Sequence, residues 1–252
     1  METININDKK QYKTVEFDEL DSTNLFALSG IDSIPDKTII VAKNQTKGRG
    51  RLSRQWTGDN SGNVYMSIVL KPENFTNYPS INITQYMSVV VSRVLEKYYG
   101  IISQIKWPND VLVEGAKIAG ILAETSIKNN KVNAIILGLG LNVNMSEDTI
   151  KSIDKKATSI KMLSGKEFNV SDCIKHISDE FFKNYNEFIT HGFSYIRDEY
   201  LEKSCFLNKK IKIENAPYSG EYFVSSVDKN GMLVTVDEKN SEQIIISGDL
   251  IC

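Results

Sequence analysis

Apolar and polar positions alternate in short blocks through the first half of the chain. Lys37–Ala42 (KTIIVA) is apolar and β-branched and predicts a strand, as does Asn63–Leu70 (NVYMSIVL). An apolar stretch precedes Asp21, and a helix is expected from near Thr23. Between the two strands, Lys43–Asn60 is rich in Gly, Ser, Asn and Arg and reads as a long loop, a kind that in compact domains is usually functional or disordered. Met87, Val90, Val91, Val94, Leu95 and Tyr98 recur at helical spacing, with Gly100 placed to end the helix. Gln104–Trp107 predicts a strand stopped by Pro108. Val111–Val113 and Lys117–Glu124 flank the turn pair Glu114-Gly115 and predict a hairpin. Asn133–Leu141 (NAIILGLGL) reads as a buried strand whose two glycines point to close backbone approach.

The second half is less regular. Met145–Glu167 is polar and gives no assignable pattern. Ser171 is the expected N-cap of an amphipathic helix carrying Ile174, Ile177, Phe181, Tyr185 and Phe188, and a shorter helix is expected over Phe193–Glu202. Beyond Leu207 the chain changes to short strands: Lys209–Glu214, Glu221–Val227, Met232–Val236 and Gln243–Ile246. Turn signals at Tyr218-Ser219-Gly220, Asn230-Gly231 and Lys239-Asn240 separate them. The expected organisation is therefore a domain over residues 1–204 and a small SH3-like β-module over 205–252.

Composition narrows the function classes. The 252 residues are 41% hydrophobic and 25% charged, a globular balance. The net charge of −2 gives no whole-molecule attraction to nucleic acid or anionic lipid, so any anion binding must be local. Cys173, Cys205 and Cys252 are scattered, without metal-ligand spacing, as free thiols in a reducing compartment would be. The N-terminal METININDKK lacks an apolar signal core, and no stretch approaches the roughly 20 apolar residues of a membrane span. A soluble, cytoplasmic protein is expected. His176 and His191 are the only histidines; one lies on the expected helix and the other at its end, which is a weak setting for catalysis.

The local exception to the acidic balance is Lys43–Trp56 (KNQTKGRGRLSRQW). It holds Lys43, Lys47, Arg49, Arg51 and Arg54 with no acid among them. Gly48 and Gly50 interleave the arginines and let backbone approach a ligand, the guanidinium forks suit carboxylate and phosphate oxygens, and Trp56 offers a ring for stacking. An anionic ligand with a planar part, such as a nucleotide, fits this set; a solvated basic loop or a nucleic-acid patch remains the plain alternative. The string is neither a P-loop nor a GxGxxG turn.

Three further clusters add polar groups. Asp21-Ser22-Thr23-Asn24 either caps a helix or hydrogen-bonds a neutral group such as an amide or urea. Lys106-Trp107-Pro108-Asn109-Asp110 puts Asn109 and Asp110 at a strand end, with Lys117 seven residues after Asp110 across the hairpin. That pair suits acyl-phosphate chemistry or is a surface ion pair. Gly138-Leu139-Gly140-Leu141-Asn142-Val143-Asn144 either lets a flat ligand lie on the sheet, with Asn142 reading a base edge, or simply packs a strand before a turn.

Taken together, DSTN at Asp21–Asn24, QTKGRGRLSRQW at Gln45–Trp56, KWPND at Lys106–Asp110, KIAGILAE at Lys117–Glu124 and GLGLNVN at Gly138–Asn144 resemble the biotin–protein ligases, in order and in spacing. The resemblance is strong over about residues 15–145. It implies an α+β fold: a class II aminoacyl-tRNA synthetase-like mixed-sheet domain with a small C-terminal SH3-like β-barrel. It implies a two-step ligase in which biotin and MgATP give biotinyl-5′-AMP, and a lysine of a biotin carboxyl carrier protein then takes the biotin.

Under that resemblance Ser22, Thr23, Asn24, Gln45, Gly48, Arg49, Gly50 and Gly120 would surround biotin. Arg51 and Lys117 would neutralise its carboxylate and the α-phosphate, with Arg54, Trp56, Asn109 and Asn142 on the nucleotide. Asp110 would orient the incoming amine or take its proton. ATP and Mg2+ are the implied cofactors, although no metal ligand is identifiable. The basic loop is expected to be mobile when empty, because its five cations repel one another. Only Met1–Glu16 precede the motifs, too few for a helix-turn-helix, so no specific DNA binding is expected. The chain ends at Cys252 without the terminal arginine of some relatives. Monomer and homodimer stay open. A lipoate–protein ligase of the same fold is the nearest rival; a non-enzymatic nucleotide- or RNA-binding module is the other, opposed by the acidic charge.

Overall fold

The computed structural model describes residues 11–56, 62–71, 81–151, 156–214, 219–237 and 241–251. Two sheets organise it. The larger has seven strands: β1 (Lys13–Leu20), β2 (Thr38–Gln45), β3 (Val64–Leu70), β4 (Gln104–Lys106), β5 (Asp110–Val113), β6 (Ala116–Lys128) and β7 (Lys131–Leu141). Their order is β1-β2-β3-β7-β6-β5-β4. Only β1 and β2 run parallel, and a parallel pair needs a crossover, which α1 (Thr23–Ser29) supplies. The sheet is thus mixed, as expected.

All seven residues of β3 are buried, because the sheet is covered on both sides. On one face Ala27 and Ile31 at and beyond α1 pack with Ile40, Val69, Ala134 and Ile136. The other face carries α2 (Ile81–Tyr99) and α5 (Val170–Lys183), after the short α3 (Glu147–Lys151) and α4 (Ile160–Ser164). Gly100, at φ 66°, ends α2 as a left-handed cap: its N–H reaches Glu96 O at 3.1 Å, and that of Ile101 reaches Leu95 O at 3.0 Å.

Several boundaries differ from expectation. The cap of α5 is Asn169, not Ser171: Asn169 Oδ1 accepts from the N–H of Ser171 at 2.8 Å and of Asp172 at 3.4 Å. The helix does not run on to Phe188; it breaks at Asn184 and resumes as α6 (Tyr185–His191). Phe193 lies in a 3-10 turn, and α7 starts only at Arg197 (Arg197–Glu202). β1 was visible in sequence only as an apolar stretch, and the loop after β2 starts later than Lys43. Its expected end, Thr57–Asn60, lies outside the described residues, as do Tyr218 and the Lys239-Asn240 turn.

The smaller sheet is antiparallel, with order β11-β10-β9-β8-β12. Its strands are β8 (Lys210–Glu214), β9 (Gly220–Val227), β10 (Leu233–Val236), β11 (Glu242–Ile245) and β12 (Asp249–Ile251), the last not anticipated. The β9–β10 turn is tied to the larger unit. Gln85 Nε2 and Trp107 Nε1 donate to Gly231 O at 2.7 and 3.1 Å, and Asn82 Nδ2 donates to Asn230 O at 2.7 Å. These bonds fix the small sheet beside the ends of β4 and β5. Among the described residues no helix is long and apolar enough to cross a membrane.

Candidate active site

A cavity of about 660 Å³ opens where the basic loop, the β4–β5 turn, the middle of β6 and β7 and the start of β12 meet. That volume suits a small molecule of nucleotide size. Its floor is a trough of glycines: Gly120 on β6 stands opposite Gly140 on β7, with Gly138 opposite Leu122 one pair further along.

The trough is filled by the protein's own side chains. A Cβ on Gly140 would collide with the Trp56 indole, and one on Gly120 would lie 2.7 Å from Trp56 Cζ3. A Cβ on Gly138 would collide with Asn24. The bare floor anticipated for a flat ligand is therefore where Trp56 lies, with Lys117 Nζ 5.2 Å from its ring centroid. Trp56 Nε1 is buried with no hydrogen-bond acceptor among the described residues. Gly48 does not line the cavity. Its backbone approaches Trp56 instead, accepting the Trp56 N–H at 2.9 Å, so it closes the loop upon itself.

One end of the cavity is neutral and hydrogen-bonding. Ser22 caps α1, its Oγ accepting from Leu25 N at 3.4 Å. The N–H and hydroxyl of Thr23 both donate to Gln45 Oε1, at 2.8 and 3.2 Å. Ser67 Oγ lies 2.7 Å from Thr23 Oγ1 and 2.5 Å from Asn24 Oδ1. Asn24 Nδ2 donates to Glu124 Oε2 at 2.8 Å, and the other Glu124 oxygen pairs with Arg49 at 3.0 Å. The capping and ligand readings of Ser22–Asn24 are thus compatible: the cap fixes the turn and buries the polar groups beside the trough.

The other end is charged. A register shift between Val111 and Leu112 places Lys117 opposite Leu112, and its ammonium reaches diagonally to Asp110 Oδ1 at 2.6 Å. Lys117 is anchored from behind, its N–H donating to Lys156 O at 3.0 Å and its carbonyl accepting from Thr158 N at 2.9 Å. Arg51 Nη1 donates to Asn109 Oδ1 and Asp249 Oδ1, both at 3.3 Å, and to Gly248 O at 3.2 Å. Arg54 Nη2 pairs with Asp249 Oδ2 at 2.6 Å. Burial draws the Arg51 guanidinium down from its ordinary value, against the opposing pull of Asp249 and Asp110. Asn142 commits one N–H to Thr158 O at 3.0 Å and so braces the wall, while still lining the cavity.

The expectation of five mutually repelling cations is corrected by their partners. Lys43 pairs with Asp18 at 2.7 Å and Lys47 with Asp21 at 2.9 Å, both away from the cavity, and Arg49, Arg51 and Arg54 are paired as above. Acids distant in sequence cancel the repulsion that the local string suggests.

Every other site residue expected from the sequence lines the cavity: Ser22, Thr23, Asn24, Gln45, Arg49, Gly50, Arg51, Arg54, Trp56, Asn109, Asp110, Lys117, Gly120 and Asn142. Ser67, Glu124 and Asp249 were missed. The period-2 pattern Gly120, Leu122, Glu124 could have put Glu124 on the strand face that meets Asn24 and Arg49; Asp249 carries no such local signal. His176 stacks on Tyr98 with centroids 3.7 Å apart, and neither histidine lines the cavity. Among the described residues no group of three His, Cys, Asp or Glu could hold a metal.

Comparison with known proteins agrees with this geometry. The bifunctional ligase/repressor BirA of Bacillus subtilis is 36% identical over 219 residues, which are 84% of this chain and 66% of that protein. The chain thus spans just under two thirds of the Bacillus relatives' length. The biotin–[acetyl-CoA-carboxylase] ligase of Paracoccus denitrificans is 27% identical over 85% of this chain and 90% of its own. A solved biotin protein ligase from Aquifex aeolicus, in complex with biotin and ATP, superposes with a TM-score of 0.83 at 26% identity, covering 96% of this chain and 98% of that one. Its match over nearly the whole chain bears out the expected α+β fold with a small C-terminal β-module. Residues 15–142, which carry every motif up to Asn142, match the biotin/lipoate A/B protein ligase family, and the chain belongs to that family.

Proposed function

We propose that this chain is a biotin–protein ligase that activates biotin with ATP and transfers it to a lysine of a carboxylase carrier domain. The observation that carries this reading is the polarity of one cavity. A neutral hydrogen-bonding end (Ser22, Thr23, Asn24, Gln45) faces a cationic end (Arg51, Arg54, Lys117) across an apolar trough. Biotin has the matching form: a neutral ureido head, an apolar body and a carboxylate tail.

In the first step a biotin carboxylate oxygen attacks the α-phosphorus of ATP, the bond to the β-phosphate oxygen breaks, and pyrophosphate leaves. Two anions must meet, and Arg51 and Lys117 offset their repulsion with charge already in place. Asn109 holds Arg51 toward them. Arg54 takes phosphate oxygens, while Trp56 and Asn142 flank the adenine. Magnesium would enter on the nucleotide phosphates as part of the substrate and offset their charge.

In the second step the carrier amine attacks the acyl carbon, the bond to AMP breaks, and the amine loses a proton. Asp110 lies beside Lys117 at this end and orients the amine or accepts that proton. The loop and its indole exclude water from the mixed anhydride between the steps.

We assign the catalytic unit to residues 1–204 and the SH3-like module to 205–252. A supporting feature is that Ser204 still bridges to β4, whereas the next strand, β8, belongs to the small sheet. The deciding experiment is incubation with MgATP, a biotin carboxyl carrier domain and an equal mixture of biotin and lipoate, followed by mass measurement of the carrier. A carrier heavier by one biotinyl group is expected. An unmodified carrier, or one modified with lipoate in preference to biotin, would overturn the reading.

A further inference from the structure

Arg51 and Arg54, the arginines assigned to phosphate, are already held by one carboxylate, and it comes from the far end of the chain. Asp249 opens β12, the edge strand of the small sheet. One of its oxygens lies 3.3 Å from Arg51 and the other 2.6 Å from Arg54, and its side chain is only 13% exposed. The preceding carbonyl, Gly248 O, accepts from the same Arg51 nitrogen at 3.2 Å. Two carboxylate oxygens shared between two guanidinium groups offer what a pair of phosphate oxygens would offer. A phosphate that draws on Arg51 Nη1 and Arg54 Nη2 competes with Asp249 for these donors.

We infer that Asp249 is an internal stand-in for nucleotide phosphate: it latches the basic loop to the small module in the empty protein and yields the arginines when phosphate arrives. The inference rests on the assignment of this end of the cavity to phosphate. It makes Asp249 a positioning residue, acting through Arg51 and Arg54. It also gives the small module a link to the state of the site, because β12 is released from the loop only while phosphate holds the arginines.

Inorganic tripolyphosphate titrated calorimetrically into the full chain tests this without biotin. A latch closed in about four fifths of the molecules lowers apparent affinity about fivefold, so Asp249→Asn should bind tripolyphosphate about fivefold more tightly than the parent. Asp249→Glu, which keeps the carboxylate, should bind like the parent. If Asp249 merely braced the loop, Asp249→Asn would bind equally or more weakly, and that result overturns the inference. So does an absence of tripolyphosphate binding in both parent and variant.

A second measurement needs no substitution. Hydrogen exchange at the amides of Asp249–Ile251 in the parent should quicken when tripolyphosphate is added; unchanged or slowed exchange overturns the latch. Absence of biotin-dependent ATP–pyrophosphate exchange in the parent would instead sink the ligase reading, so the two failures are separable.

Discussion

Replacing Lys117 with methionine removes the cation from the centre of the site and keeps most of the stem that lies over Gly120. The ammonium sits 2.6 Å from Asp110, on a side chain that is 31% exposed. In the activated complex it would face the α-phosphate and the biotin carboxylate at comparable range. Two unit charges about 4 Å apart interact by about 4 kcal/mol at an effective dielectric of about 20. Solvent reaching a side chain exposed to this degree halves that figure or more, leaving about 2 kcal/mol. At about 1.4 kcal/mol per decade, this is a loss of about 30-fold in the rate of adenylate formation. The variant also leaves Asp110 as an uncompensated negative charge beside the phosphate. The double variant Lys117→Met/Asp110→Asn should therefore lose less than the product of the two single losses. Biotin-dependent ATP–pyrophosphate exchange reads the first step alone, and circular dichroism should show an unaltered fold. If folded Lys117→Met exchanged within about twofold of the parent, the electrostatic role would be refuted.

Arg51→Ala should lower the same exchange rate by at least about tenfold with the fold intact, and a parental rate would remove Arg51 from the first step. Gly140→Ala puts a methyl where the indole lies; overpacking of this kind costs about 1–3 kcal/mol, so the melting temperature should fall and tryptophan emission should shift to the red. Parental values of both would show that the trough has room to spare. Cys173 is fully buried, and burial pushes its thiol up, so it should resist alkylation at pH about 8 until denaturant is added. Peptide mass mapping that finds Cys173 alkylated in the native protein would contradict this.

Much of the site was legible because it is assembled from local strings. The hairpin through Glu114-Gly115 and the helix ended by Gly100 each carry their own punctuation, so β5, the start of β6 and the end of α2 fall where the sequence puts them, although β6 runs on to Lys128 and α2 begins at Ile81. The glycines of β7 signalled close approach correctly, but not by what. Trp56 approaches them from another segment, through a loop whose closure depends on a hydrogen bond to Gly48. The pairing of the loop cations was hidden for the same reason. Asp249 lies 195 residues from Arg54, and no periodicity spans such a distance. β12 escaped notice because three residues carry no pattern; its identity comes from pairing with β8. The cap of α5 was misplaced by two positions because Asn169 and Ser171 are both good caps, and only geometry decides between them.

The indole seated on Gly120 and Gly140 means that the shape of the cavity is set in part by the protein's own side chain. A compound library selected for fit to this shape would favour molecules that settle on top of the tryptophan and hold it down. Such molecules would need neither an acyl phosphate mimic nor a purine, and they would freeze the protein before its first substrate arrives.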